Sequence, residues 1–168
     1  MTTSRAIESL RFRMVTHITS SLAHEVGDVD DHRLSLSTFS GLAFFADGVV
    51  AKVQFHSISD YIAGAGTFTL YPAIRFDDDS VLFLKSSGTG TVDGARTNFT
   101  GTVAVIGGRK RFEAAQGDGT LTGTRYTPLS EGADAATASK TRPLNLRHMR
   151  EAAYGRLFAK SSSLALFI

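Results

Sequence analysis

Apolar and polar residues alternate with a period of two along most of the chain up to about residue 126. In "VVAKVQFHSIS", Val49, Ala51, Val53 and Phe55 fall on one side, and Lys52, Gln54 and His56 on the other. "GTFTLYPAIRF" repeats the pattern, with Phe68, Leu70, Ile74 and Phe76 against Thr67, Thr69, Tyr71 and Arg75. Successive side chains of a strand point to opposite faces, so this period predicts strands with one wet face. "RLSLSTFSGLAFF" also alternates, and Leu10 to Ile18 does so more loosely. "VLFLKSSGTGTV", "TNFTGTVAVIGG" and "GDGTLTGTRY" complete a set of seven or eight short strands. Asp47-Gly48 and Asp93-Gly94 are hairpin signals, because both residue types tolerate positive φ. Asp77–Ser80 reads as a polar turn and Glu25–His32 as an acidic loop. Short strands at hairpin spacing predict an antiparallel barrel or sandwich.

The pattern changes near residue 128. Residues 1–128 read as the β-barrel domain. Residues 129–143 are small, polar and rich in Ala, Ser and Thr, and read as a linker. In residues 144–168, Leu146, Met149, Ala153 and Leu157 recur at helical spacing, which predicts a C-terminal helix followed by the apolar tail "SLALFI". Phe44-Phe45 and "VLFL" (Val81–Leu84) put apolar groups on both faces of their strands. A second subunit or the C-terminal helix is therefore expected over part of the outer face.

"GGRKRFEAAQGDGTLTG" (Gly107–Gly123) poses a choice between a phosphate-binding loop and a corner between strands. A P-loop needs G-x-x-x-x-G-K-[ST] between a strand and a helix, and a dinucleotide fingerprint needs G-x-G-x-x-G at such a turn. Neither is present, and Gly88, Gly90 and Gly94 also miss the spacing. The corner reading has Phe112 plugging one end of the interior while Arg109, Lys110 and Arg111 stay in water.

Composition narrows the chemistry. The 168 residues suffice for one domain with a core. Cysteine is absent, which removes disulfides, thiolate metal sites and a cysteine nucleophile. Residues 139–168 hold six basic residues and one acidic, against twelve and fifteen in the remainder. That density of charge is below what a phosphate-binding tail shows, so no nucleic-acid partner is expected. No apolar run is long enough for a membrane helix, and Arg11 and Arg13 interrupt the only candidate leader. The expected location is the cytoplasm, with no membrane partner.

Gly107–Gly123 resembles a glycine-spaced segment of the allene oxide cyclase barrel-like and dirigent-like superfamily, as "FDDDSVLFLKSSGTGTVDG" resembles middle strands of bacterial relatives. The resemblance covers roughly Ala43–Tyr126. Lys110 stands where that pattern usually has a glycine, and Ala114 where another is common. The resemblance implies an eight-stranded antiparallel barrel, often trimeric, with an apolar cavity. Its members steer ring closures or radical couplings without cofactor or metal. The expected fold is thus all-β, an antiparallel eight-stranded β-barrel with a C-terminal helical appendage.

The candidate site residues come from the strand faces. Tyr71 and Arg75 share a face with Thr67 and Thr69 and could polarise a carbonyl if that face points inward. His56 would join them on the adjacent strand, and all three are alternatively exposed strand positions. Phe55, Phe68, Phe83, Asn98 and Phe99 are the candidate ligand-binding residues. Arg125 and Tyr126 point to opposite faces, so only one can be inside. His24 and His32 sit among acidic residues, for which a solvated loop is preferred over a metal site. The expected function is a cofactor-free isomerase or cyclase acting on one small apolar organic ligand in a homo-oligomer, trimer or dimer. The alternative is a non-catalytic, lipocalin-like binding barrel.

Overall fold

The computed structural model describes residues 6–126, 136–141 and 144–148. Ten strands form in chain order: β1 (Ala6–Leu10), β2 (Phe12–Glu25), β3 (His32–Phe45), β4 (Val50–Ile62), β5 (Ala65–Arg75), β6 (Val81–Asp93), β7 (Arg96–Arg109), β8 (Gln116–Arg125), β9 (Ala136–Thr141) and β10 (Leu144–His148). They make one antiparallel sheet in the order β1-β10-β8-β7-β6-β5-β4-β3-β2-β9. From β2 to β8 each strand pairs with the next, as hairpin connections dictate. Strand β9 pairs with β2 on one edge and with β8 on the other.

Burial follows the alternation read from the sequence. Along β4, Ala51, Val53, Phe55, Ser57, Ser59 and Tyr61 are buried and the residues between them exposed. β5 buries Phe68 and Ile74 on the same parity, with Leu70 partly buried, and β2 buries Phe12, Met14, Thr16 and Ile18. The buried faces converge, so the sheet is barrel-like around an apolar core. At one end Phe12, Phe45, Phe76 and Phe112 form a chain of rings with centroids 5.0–5.2 Å apart. Each such ring removed from water is worth about 1.5–3 kcal/mol.

The glycine-flanked segment is a corner between strands. β7 ends at Arg109, a 3-10 turn spans Lys110–Phe112, and β8 begins at Gln116. Phe112 is 2% exposed, while Arg109, Lys110 and Arg111 are exposed. Lys110 adopts φ 55°, the left-handed conformation that favours glycine. Its Nζ donates to the Asp78 carbonyl at 2.6 Å and to Asp79 Oδ2 at 3.2 Å, tying the corner to the β5–β6 turn.

The structure corrects two expectations for the last third. Residues 136–141, inside the expected linker, form β9, and residues 144–148, the start of the expected helix, form β10. The remainder of the expected helix and the apolar tail lie outside the described residues. The strands number ten in one sheet rather than eight, and no C-terminal helical appendage is seen among the described residues. No helix among them is long and apolar enough to cross a membrane.

Candidate functional site

At the end of the interior opposite Phe112 the packing opens into a cavity of about 60 Å³. A void of roughly 10–15 Å³ already admits a water, so this one has room for several waters or a small organic group. Phe39, Phe55, Phe68, Leu70, Phe99 and Leu121 supply its apolar walls. The rings are ordered by their neighbours: Phe39 stacks on Phe55 at 4.5 Å, and Phe68 meets Phe99 edge-on at 5.6 Å. Pairs in these geometries gain about 0.5–1.5 kcal/mol beyond burial.

Polar groups gather toward one side. Ser37, Ser57 and Ser59 are buried among the lining residues. Ser37 Oγ lies 2.8 Å from Ser21 Oγ and Ser59 Oγ 2.5 Å from Ser35 Oγ, so both hydroxyls are engaged. Tyr61 and Arg125 also line the cavity and at the same time line a second hollow of about 370 Å³ above it, together with Arg33, Arg96, Asp31 and Thr97. These two side chains therefore stand at the neck between an apolar chamber and a polar vestibule.

Arg125 is 6% exposed, and its Nη2 donates to Thr97 Oγ1 at 2.8 Å. Its guanidinium lies 5.6 Å from the Phe99 ring centre. Burial lowers its pKa by disfavouring the charged form, yet a guanidinium remains protonated in a protein. Burial pushes the Tyr61 phenol up to about 12, with the nearby charge of Arg125 pulling the other way. At neutral pH the neck therefore carries a neutral O–H donor beside a fixed cation.

Of the ligand-binding candidates, Phe55, Phe68 and Phe99 line the cavity, whereas Phe83 and Asn98 do not. Phe83 is half-buried on the opposite face from Leu82 and Leu84, under the guanidinium of Arg109 at 5.6 Å. Asn98 alternates with the inward Thr97 and Phe99 and accepts a hydrogen bond from Thr124 Oγ1 at 3.0 Å. His56, Tyr71 and Arg75 all sit on the outer face. His56 and Tyr71 are register partners there, and Lys85 Nζ lies 5.9 Å from the Tyr71 ring centre. The core takes the apolar face of β4 and β5, which leaves their polar face in water. Arg125 points inward and Tyr126 outward.

The sequence carries a signal for Tyr61 and Arg125 in the parity of their strands. Tyr61 continues the parity of Ala51, Val53 and Phe55, and Arg125 that of Leu121. Polar residues at the end of an inward-facing run mark where a core gives way to a solvent-reaching site.

Fold and site together define an all-β, antiparallel, barrel-like protein with an apolar chamber, a Tyr–Arg neck and a polar mouth. No protein-family model and no curated protein matches the chain. A conserved protein of unknown function from Rhodopseudomonas palustris, whose crystal structure is solved, aligns at 10% identity over 86% of this chain and 99% of its own, with a TM-score of 0.50. The structure of a pterocarpan synthase dirigent protein aligns at 12% identity over 92% of each chain, with a TM-score of 0.47. The first likeness shows a shared fold.

Proposed function

We propose that this chain binds one small apolar organic molecule in the chamber and steers its ring closure or rearrangement, as a cofactor-free isomerase or cyclase. The observation that carries the reading is the chamber itself, with aromatic rings on its walls, the hydroxyls of Thr16, Ser37, Ser57 and Ser59 among them, and Tyr61 and Arg125 at its neck. Such a site selects shape before chemistry. Phe55, Phe68 and Phe99 would hold the ligand, with Phe39 completing the wall. Holding reacting atoms in a near-attack geometry replaces entropy that the free molecule loses in reaching the transition state, a contribution of several kcal/mol. Charge developing on a ligand oxygen at the neck would meet the Tyr61 hydroxyl and the Arg125 guanidinium, a preorganised pair of buried side chains. The glycine-spaced resemblance to cyclases and dirigent proteins agrees with this reading.

The aromatic walls and the continuity with an open vestibule also suit a lipocalin-like carrier, the second reading. Native mass spectrometry of gently purified protein tests both. A bound organic ligand is expected. Incubation of apo protein with that ligand's open-chain isomer gives a rearranged product of the same mass if the chain is an isomerase. Release of the unchanged isomer supports the carrier. Protein that takes up no apolar molecule at all overturns both readings.

We further propose that the protein associates with a second copy of itself through the outer face of β3 and β4. In register, Leu22, Leu36 and Ile58 form one apolar row near the acidic end of that face, and Val15 and Leu42 another near the end carrying Arg13, Lys52 and Arg75. All five apolar residues are exposed, and Leu22, Leu36 and Ile58 more than half so. A two-fold axis across the strands between Ser40 and Thr38 lays Leu36 on Leu42 and Leu22 on Val15, and sets Lys52 of one copy over Ile58 of its mate, two residues from the mate's Asp60. An isologous contact of this kind needs one self-complementary patch.

A further inference from the structure

Tyr61 is 7% exposed, and among the described residues its hydroxyl has no hydrogen-bond partner. Buried Tyr hydroxyls usually have one. Two hydroxyls close to it in the lining are engaged elsewhere. Ser59 is bonded to Ser35, and Thr97 accepts from Arg125. Room has been left for the hydroxyl rather than filled. Gly90, buried on β6, lies against it, and a Cβ at that position would come 3.0 Å from the Tyr61 oxygen. The phenol borders both the apolar chamber and the vestibule. Building on the chamber as a ligand site, we infer that the Tyr61 hydroxyl is a specificity-determining donor awaiting an acceptor oxygen on the ligand. The ligand class is then an apolar molecule bearing a carbonyl or ether oxygen at the end that rests in the neck. Hydrocarbons leave the donor unsatisfied, and the cation of Arg125 nearby favours the lone pairs of an oxygen over another donor group.

The test uses two probes of nearly equal shape that differ by one oxygen, acetophenone and ethylbenzene. Their dissociation constants are measured by amide NMR titration of the full chain, in wild type and in Tyr61→Phe. Ethylbenzene is the more apolar, so the informative quantity is the ratio of the two affinities, from which the water-transfer difference cancels between proteins. Loss of one buried hydrogen bond should lower the preference for acetophenone by roughly threefold to tenfold. Tyr61→Phe should also melt no lower than wild type, since it removes an unsatisfied group without opening a cavity. An unchanged ratio overturns the assignment to Tyr61 while leaving the chamber as a ligand site. A variant that melts several degrees lower assigns the hydroxyl a structural bond and overturns it as well. Failure of both probes to bind wild type overturns the chamber reading, and the inference with it.

Discussion

Phe112 closes one end of the interior, reaching it from a turn rather than a strand. Its ring lies 5.2 Å from Phe76 and is covered on its outer side by the Arg111 guanidinium at 4.7 Å. Phe112→Ala should cost about 3–5 kcal/mol, the range for a fully buried ring, read as a lower urea midpoint. A loss under about 1 kcal/mol would mean that the end is closed by something else. At the mouth, His32 Nδ1 lies 2.6 Å from Asp28 Oδ1 and Nε2 lies 2.8 Å from Asp60 Oδ1. Both nitrogens can donate to carboxylates only in the imidazolium form, so these bonds raise the His32 pKa above 6.5, Asp60 first and Asp28 second. Arg33, next to His32 in the chain, pairs with Glu25 and Asp31. The contribution from His32 is full below pH 6.5 and is lost as pH rises through its raised value. Asp28, held below 3.8 chiefly by its bond to His32, adds a part that is lost only as pH falls through its own lowered value. An NMR titration of the His32 ring should give a midpoint above 6.5, moving down in Asp60→Asn; a midpoint at or below 6.5 refutes the clasp. At this scale the sequence yielded the inward Phe55, Phe68, Phe99 and Phe112 but misplaced the polar chemistry. Tyr71, Arg75 and His56 lie on the wet faces of β5 and β4, and a face rich in polar residues lines an interior only where the apolar face does not claim it.

The glycines of β6 and β7 show what the elements require of one another. Gly88 and Gly101 are register partners on the inward face, and Phe68 on β5 lies in register with Gly88. A Cβ on Gly88 would run into the Thr100 carbonyl oxygen and come 2.7 Å from the Gly101 Cα and 2.9 Å from the Phe68 ring. Gly88→Ala should therefore destabilise by about 1–3 kcal/mol or more, the cost of overpacking a closed site. It should also weaken binding of apolar probes, because the displaced ring narrows the chamber. A variant as stable as wild type in urea would show that the two strands can move apart. "SSGTGTV" was legible as a strand from its neighbours, whereas the reason for its glycines needed the partner strands. β9 and β10 were not legible. "ATASKT" is short and small, with no apolar period, and its pairing with β2 and β8 is a long-range contact that leaves no local trace. In "LNLRH" a true period of two over five residues competes with the helical spacing of Leu146, Met149, Ala153 and Leu157.

For the whole molecule, the apolar residues on both sides of the sheet leave more hydrophobic surface than the interior uses. Val15, Leu22, Leu34, Leu36, Leu42, Phe44, Val50 and Ile58 are all exposed on neighbouring positions of β2, β3 and β4. Two apolar clusters on one face, with Thr38 and Ser40 between them, offer a contact site. Three strands about 4.8 Å apart and about ten residues at 3.4 Å rise present roughly 490 Å² per copy. Two such faces total roughly 980 Å², below the bound of about 1,200 Å² for a stable interface, so association should be weak, reversible and concentration-dependent. Sedimentation equilibrium of the full chain should give a dimer at micromolar concentration. Leu36→Glu and Leu42→Glu lie in the two rows that the two-fold axis superimposes, so each should yield monomer with an unchanged melting temperature and intact probe binding in the chamber. Ile106→Glu on β7, at a position exposed but outside the patch, is the control and should leave the dimer intact. A monomeric wild type would mean that the patch is covered within the chain. A trimer insensitive to both leucine substitutions would place the interface on another face, and either result removes the two-fold arrangement.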